Sequence, residues 1–406
     1  MYSPVPKQPT QSMEVKLGPA ARVVTSAQRQ HVLKTLGLFA LVTSVFTYGF
    51  HTFLRVQAVS DLTLHIGYAG EIHSVADLWA PHLAAHFLFQ LLLKAFSFLF
   101  GVNYFTGTAW LLGLCYGGMA VLIAYEIERR GAALTAFRAF LVVPALLLAS
   151  HIFLPTILMP NLYYGYFVPI TYHSPTQQLN KLFALWIYFL YCAQFIDVRS
   201  AAPTRVAGMT VLSILSALAK PSFLVAFLPA AGLYSLRDMA RRHWRQASLF
   251  LAGVALPVSL LMLWQAREVF GADASRLVLA PFVVFKFMPT LYKLPASMAF
   301  PLVVLAAAWR RGAVDDRLRF VWLFTGIAFA MTLMLGEGGT RLFDGNFAWT
   351  GQTAVFLSYV ESVLFLLTTS VSVGWRRTAW AASAVHVACG LIWYAVTFWP
   401  QRPEWL

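Results

Sequence analysis

Two acids and two histidines lie close together directly after the first long apolar stretch of the chain. The segment reads SDLTLHIGYAGEIHS, residues 60–74, and contains Asp61, His65, Glu71 and His73. If it forms a helix, Asp61 and His65 share a face, because residues four apart stack on a helix. Glu71 turns off that face by about 80° at about 3.6 residues per turn. A carboxylate and an imidazole one turn apart predict general acid–base chemistry. The alternative is that Asp61, after Ser60, caps the helix and the histidines lie at the level of lipid headgroups.

A second histidine pair follows in the stretch WAPHLAAHFLF, where His82 and His86 are again four residues apart. Histidines at this spacing bind zinc in metalloproteases, but the glutamate that lies between them in that signature is absent here. The pair therefore favours polar contacts with a lipid phosphate or a sugar. We assign no residue to a metal site.

Aromatic and amide side chains concentrate in the stretch PNLYYGYFVPITYHSPTQQLNK, residues 160–181. Tyrosine rings beside hydroxyl and amide groups suit a sugar, which offers C–H faces for stacking and hydroxyls for hydrogen bonds. Tyr172, His173 and Gln177 are the predicted binding residues. The alternative is the ordinary aromatic belt at a membrane interface.

One lysine, Lys220, interrupts a long apolar run in LSALAKPSFLVAFLPAAGL, and Pro221 follows it. Proline and charge at this place predict a broken helical hairpin with its tip in the outer half of the membrane. An intramembrane lysine indicates function, since leaving it unpaired costs several kcal/mol, and a lipid phosphate would pair with it. Snorkelling of the side chain to the headgroups is the alternative.

The glycine-rich stretch GEGGTRLFDGNFAWTGQ, residues 336–352, combines both charge signs. Arg341 can bind a phosphate through two parallel hydrogen bonds, and glycines allow close backbone approach. Asp344 and Asn346 are further predicted contacts. The alternative is an ion pair of Arg341 with Glu337 or Asp344 that stabilises the loop.

The composition shows what must position these side chains. The chain has 406 residues, 59% of them hydrophobic and 11% charged, with a mean hydropathy of +0.67. Apolar runs of about 20 residues, each able to cross a hydrocarbon core of about 30 Å, recur along it. This predicts an all-α, polytopic helical membrane protein. The net charge of +14 is dispersed between the runs, which argues against a nucleic-acid partner.

The arginine and lysine clusters predict the topology, because cytoplasmic loops are enriched in these residues. Residues 1–32 form a cytoplasmic arm, 33–399 the transmembrane domain and 400–406 a short tail. The outward loops are 55–105, 156–177, 266–294 and 336–352. The apolar stretch 82–100 is predicted to lie on the outer leaflet, since a crossing there would invert every later cluster. The eleven predicted spans are 33–54, 106–125, 134–155, 178–196, 206–219, 222–236, 247–265, 295–309, 318–335, 353–373 and 379–399.

This topology predicts an integral protein of the cytoplasmic (inner) membrane, with the N-terminus inside and the working face extracytoplasmic. The outward loops contain nearly all of the candidate chemistry. The predicted substrate-binding residues are Glu71, His82, His86, Tyr172, His173, Gln177, Lys220, Arg341, Asp344 and Asn346.

The pattern resembles the GT-C superfamily of membrane glycosyltransferases, which take a sugar from a polyprenyl-phosphate carrier on the extracytoplasmic side. In that family an acidic residue follows the first span, and juxtamembrane helices precede the next crossing. Asp61 occupies the acidic position, and PHLAAHFLFQLLLKAFSFLFGVN resembles the second juxtamembrane helix. The stretches YHSPTQQLNKLFAL, LAKPSFLVAFLPA and GGTRLFDGNFAW are similar to segments of uncharacterised polytopic proteins suspected of belonging to the same superfamily.

The resemblance implies an inverting glycosyltransferase. In it Asp61 deprotonates an acceptor hydroxyl, and Lys220 or Arg341 stabilises the departing phosphate. The implied partners are a polyprenyl-phosphate-linked sugar, the lipid bilayer, and a glycan, lipid or protein acceptor. A divalent cation stays open as a cofactor.

Two departures from the family pattern limit the resemblance. The Asp-Glu pair common in protein mannosyl- and aminoarabinose transferases is Asp61-Leu62 here. The arginine expected after the Phe-Gly turn is missing from NYFTGTAW, so the residue that binds the donor phosphate stays open. A transporter or flippase, with charges and broken helices near the midplane, is the main alternative. An oligosaccharide polymerase or ligase that uses the same carriers is another.

Overall fold

The computed structural model describes residues 26–56, 60–79, 86–132, 134–153, 166–198, 202–271 and 276–398. The described chain is helical apart from its connections and one short β-ribbon. The first seven helices are α1 (Ser26–Val56), α2 (Asp61–Glu71), α3 (Leu88–Phe100), α4 (Tyr104–Arg129), α5 (Ala136–Leu148), α6 (Pro175–Tyr191) and α7 (Pro203–Ala219). The remaining helices are α8 (Ser222–Ala240), α9 (Trp244–Phe250), α10 (Leu256–Gly271), α11 (Phe287–Arg310), α12 (Asp316–Met334), α13 (Ala348–Thr368) and α14 (Val373–Phe398).

Helical turns of other types extend some of these elements. A π-helical segment, Cys192–Asp197, continues α6, and a second, Leu251–Ala255, joins α9 to α10. Short 3₁₀ helices cover Val75–Trp79 and Gly339–Arg341. The strands β1 (Leu277–Leu279) and β2 (Leu335–Glu337) pair antiparallel.

Among the described residues, nine helices are long and apolar enough to cross a membrane. They are Arg29–Val56, Tyr104–Arg129, Pro175–Asp197, Ser222–Ala240, Trp244–Glu268, Phe287–Arg310, Asp316–Met334, Ala348–Thr368 and Val373–Phe398. The predicted helical membrane architecture is therefore confirmed. The predicted spans 134–155 and 206–219 contain shorter apolar helices, α5 and α7. The predicted outer-leaflet stretch contains α3, whose 13 residues reach only about 20 Å.

The bundle has two chemically different ends. We call one the histidine end; it carries α2, the start of α3, the break between α7 and α8, the β-ribbon and the start of α13. We call the other the arginine end; it carries Glu126, Arg130, Asp197, Arg317 and Glu361. The described parts of the predicted outward loops that carry Asp61, Ser174, Glu337 and Trp349 lie at the histidine end. The ends of α4 and α6 and the start of α12 lie at the arginine end.

Glycines allow α1 and α4 to approach each other closely. A Cβ atom at Gly113 would lie 1.9 Å from the Oγ1 of Thr47, and one at Gly117 would lie 2.2 Å from the Oγ1 of Thr43. Helices in lipid associate mainly through such close contact of small residues, because lipid tails supply no hydrophobic driving force. The spacing of these glycines therefore sets the seam between α1 and α4.

Non-helical backbone lies inside the bundle after α5, where neighbouring helices satisfy its polar groups. The Ser150 N–H donates to the carbonyl of His386, and the Ile152 N–H donates to that of Ala296. A proline inside a helix creates the same need. In α11, Pro301 has no N–H, so it cannot donate to the Ser297 carbonyl four residues earlier. The Tyr359 hydroxyl donates to that carbonyl at 2.8 Å. Such pairing is required because irregular backbone at membrane depth has no water to bond.

Helices α5 and α14 approach each other closely at Gly390 of α14, and a substitution there tests this contact. A Cβ atom there would lie 1.7 Å from the Leu148 carbonyl oxygen, so we expect Gly390→Ala to push α5 away and lower stability by about 1–3 kcal/mol. Gly374→Ala, on the same helix, meets nothing within 4 Å and is the control. Thermal unfolding of the two purified variants measures the difference; equal midpoints would contradict the contact.

A buried ionic network holds the arginine end together. Arg130 donates through two parallel hydrogen bonds to Glu361, at 2.6 and 2.7 Å, and its Nε donates to Glu126 at 2.8 Å. Arg317 bonds Glu126 at 2.7 Å and also pairs with Asp197. The glutamates are 1% and 0% exposed. The network joins α4, the π-helical end of α6, α12 and α13.

Glu361→Gln tests how much the bundle depends on this network. The change leaves the Arg130 charge without its main partner in a buried site, so we expect a loss of about 3–5 kcal/mol in the free energy of unfolding. Asp344→Asn, which removes one carboxylate from an exposed ion pair of Arg341, should cost at most about 1 kcal/mol. Denaturant titration in detergent micelles compares the two. Similar losses would show that the network is not essential.

Candidate functional site

Helix α2 presents Asp61 at the histidine end. The Ser60 hydroxyl accepts from the Thr63 N–H, and the Thr63 side chain bonds the Ser60 N–H, so Ser60 is the N-cap. The Asp61 carboxylate is not used for capping, and it makes no hydrogen bond or ion pair with a described residue. It lies in the first turn, where the helix dipole favours negative charge. An uncommitted carboxylate at this place is available to a ligand.

His65 faces the interior instead of pairing with Asp61. Its Nδ1 lies 2.7 Å from the Gln90 amide nitrogen of α3, and its ring lies 6.1 Å from that of His86, centre to centre. Burial lowers the pKa of His65 to about 3, with a smaller contribution from His86. Burial likewise lowers the pKa of the partly buried His86 to about 3. Both rings are neutral at physiological pH, and His65 joins α2 to α3.

Lys220 lies at the break between α7 and α8, as the sequence predicts. Its ammonium is 4.1 Å from the ring centre of Trp349 and 3.4 Å from the Ser174 hydroxyl. It is within electrostatic reach of Asp61 and Glu337. The break therefore brings the Lys220 ammonium to the indole face of Trp349, with the carboxylates of Asp61 and Glu337 within electrostatic reach.

The glycine-rich stretch folds as a turn with an internal ion pair. The Arg341 Nε lies 3.2 Å from Glu337 and 3.3 Å from Asp344, and the arginine side chain is 44% exposed. The structure thus contains the ion pair that the sequence predicts as the alternative to phosphate binding by Arg341. The Asn346 Nδ2 is buried and has no hydrogen-bond partner among the described residues. Arg341 also lies within electrostatic reach of His86.

Two predicted binding residues have structural roles. The buried Gln177 amide donates to the Trp349 carbonyl and to Thr353, and it accepts from Ser222. It joins α6 to α8 and α13 and sets the position of the Trp349 backbone. Tyr172 is 1% exposed in an aromatic cluster with Phe398 and neighbouring rings.

The other predicted residues lie around the edges of the site or outside the described chain. The His173 ring is 5.5 Å from that of Trp349. Glu71 is exposed at the end of α2. His82 lies outside the described residues. No group of three or more His, Cys, Asp or Glu side chains could hold a metal ion among the residues described.

Sequence reasoning missed Trp349, Ser174 and Glu361. Trp349 lies in the predicted outward loop 336–352, where an interfacial tryptophan attracts no attention, and only the fold brings Lys220 to it. Glu361 carried a usable signal, since a carboxylate inside a predicted span indicates a buried partner.

Comparison with protein-family models, curated proteins and solved structures finds no match for this chain.

The buried histidine of α2 predicts a specific pH dependence of stability. The unfolded state binds a proton near pH 6.5 and the folded state only near pH 3, so stability falls as pH drops below about 6.5. The loss is about 1.4 kcal/mol per pH unit for a fully shifted group. We expect His65→Gln to reduce the fall in unfolding temperature between pH 7.5 and 5, and the exposed His73→Gln to leave it unchanged. An unaltered fall in His65→Gln would contradict the buried neutral state.

Proposed function

We propose that this protein is a membrane glycosyltransferase that moves a sugar from a polyprenyl-phosphate carrier to an extracytoplasmic acceptor. The observation that carries the proposal is the contact of Lys220 with Trp349 at the histidine end, with Asp61 within electrostatic reach of the lysine. A transfer from a lipid phosphate needs a base for the acceptor, a cation for the leaving group and a surface for the sugar. These three residues supply one each.

Asp61 is the proposed general base. Its carboxylate takes the proton of the acceptor hydroxyl while that oxygen forms a bond to the anomeric carbon, with inversion. The bond from the anomeric carbon to the phosphate oxygen breaks, and its electron pair leaves with the phosphate. The absence of a hydrogen bond or ion pair between Asp61 and any described residue supports this role, because the carboxylate is free to bind the acceptor.

Lys220 is the proposed partner of the leaving phosphate. The phosphodiester of the donor carries one negative charge, and the released monophosphate gains a second. A fixed ammonium therefore binds the transition state more strongly than the ground state. Arg341 is a weaker candidate than Lys220, since two carboxylates already neutralise it.

The sugar would stack on Trp349. An exposed C–H face of a pyranose contacts an indole ring favourably, and His173 next to the ring can bond a hydroxyl. Gln177 holds the backbone of Trp349, and His65 holds α2 against α3. These two residues position the groups that would contact the substrate, and they do not react themselves.

The proposal includes the membrane orientation and the number of crossings. Arginine and lysine clusters favour the arginine end on the cytoplasmic side, with the N-terminus inside. Nine long helices together with α5 and α7 would give eleven crossings in the cytoplasmic membrane. The histidine end would then face the extracytoplasmic side, where polyprenyl-phosphate sugars are used.

Asp61→Asn is the direct test of the base. Loss of a general base lowers rates by about 10²–10⁴-fold, so we expect kcat for sugar transfer to fall by at least about 100-fold with a small change in KM. The measurement is transfer from a panel of polyprenyl-phosphate sugars in membranes. Glu128→Gln, an acid near the end of α4 at the opposite end of the bundle, is the control. Transfer that persists in Asp61→Asn would remove Asp61 from the mechanism.

Transport of a lipid-linked or small polar substrate is the second candidate. The non-helical segment 166–174 favours it, since broken backbone at membrane depth often lines a substrate path. The Lys181 ammonium donates to the Pro169 carbonyl in this segment at 2.7 Å, and Lys293 lies 4.9 Å from the Tyr166 ring. Substrate uptake into vesicles without formation of a glycosylated product would favour transport over transfer.

A further inference from the structure

A polar cavity lies on the seam between α1 and α4, apart from the Asp61–Lys220 site. Its volume is about 330 Å³, and the described residues that line it come from the end of α1 and the start of α4. They are His51, Leu54, Arg55, Asn103, Phe105 and Thr106. The two sides of the cavity are fixed by the close glycine contacts between these helices.

No described residue neutralises the charge in this cavity. Arg55 makes no hydrogen bond or ion pair with a described residue, and none of the described residues lining the cavity is acidic. His51 lies one turn before Arg55 on the same face of α1. The opposite side is the first turn of α4, where the Asn103 side-chain oxygen accepts from the Thr106 N–H at 2.8 Å and caps the helix. This is the positive end of the helix dipole. The lining therefore favours an anion.

Three other cations at the histidine end are engaged by the protein. Arg341 pairs with two carboxylates, Lys94 donates to the Ile72 carbonyl, and Lys220 contacts Trp349 and Ser174. Arg55 thus differs from them in having an open guanidinium. A planar guanidinium binds a phosphate through parallel hydrogen bonds.

We infer that this cavity binds the phosphate of a lipid headgroup from the surrounding leaflet. Both helices that form it are long apolar spans, so the seam meets bilayer lipid at headgroup level. Leu54 and the half-exposed Phe105 give the cavity an apolar side for the glycerol and the upper acyl chain. Arg55 binds the phosphate oxygens, and His51 supports it. This site does not depend on the proposed sugar transfer.

Native mass spectrometry of the purified full-length protein tests the site. The protein is titrated with phosphatidylglycerol and, separately, with diacylglycerol, which lacks the phosphate. We expect phosphatidylglycerol to bind preferentially, and Arg55→Gln to weaken that binding by at least about fivefold. Lys286→Gln, an exposed cation at the same end of the bundle, is the control and should bind as the wild type does.

Two outcomes would overturn the assignment. Equal lipid binding by Arg55→Gln and the wild type would show that Arg55 does not bind the phosphate. Displacement of the bound lipid by inorganic phosphate would identify a site for free phosphate instead of a headgroup. We expect Arg55→Gln to unfold at the wild-type temperature, because Arg55 is exposed and bonds no described residue. An unchanged unfolding temperature excludes misfolding as the cause of weaker lipid binding.

Discussion

The buried pairing of Arg130 and Arg317 with Glu126 and Glu361 is the constraint on which the rest of the structure depends. A charge left alone in this apolar interior would cost several kcal/mol, so the four side chains must meet. Their meeting fixes the rotation and depth of α4, α12 and α13. Tyr188, which donates to Glu361 at 2.9 Å, adds α6 to the same arrangement.

Fixing the helices at one end determines what meets at the other. Helix α13 runs from the network to Trp349, and α6 runs to Ser174, so the positions of both residues follow from the ionic network. Lys220 enters between them because α7 stops after 17 residues. The bond of His65 to Gln90 holds α2 against α3. The site therefore combines α6 and α13, which the ionic network holds, with the α7–α8 hairpin, which is interrupted at Lys220.

Local pattern predicted the elements of this arrangement better than its contacts. The helix after Ser60 and the break at Lys220 follow from the residues at those places, a cap and a proline, which act over a few residues. The partners of His65 and Gln177 did not follow, since each lies on another element. A neutral, buried His65 also cannot be distinguished by spacing from a catalytic one, because i and i+4 positions share a face in both cases.

The proposed chemistry requires Asp61 to face Lys220 across the histidine end. Cross-linking measures this most directly, in a background where Cys115, Cys192 and Cys389 are replaced by alanine. Asp61→Cys paired with Lys220→Cys should react with a short bismaleimide, while Asp61→Cys paired with Arg319→Cys, near the arginine end, should not. If the first pair fails to cross-link although each single cysteine reacts with a monofunctional maleimide, Asp61 and Lys220 do not face each other.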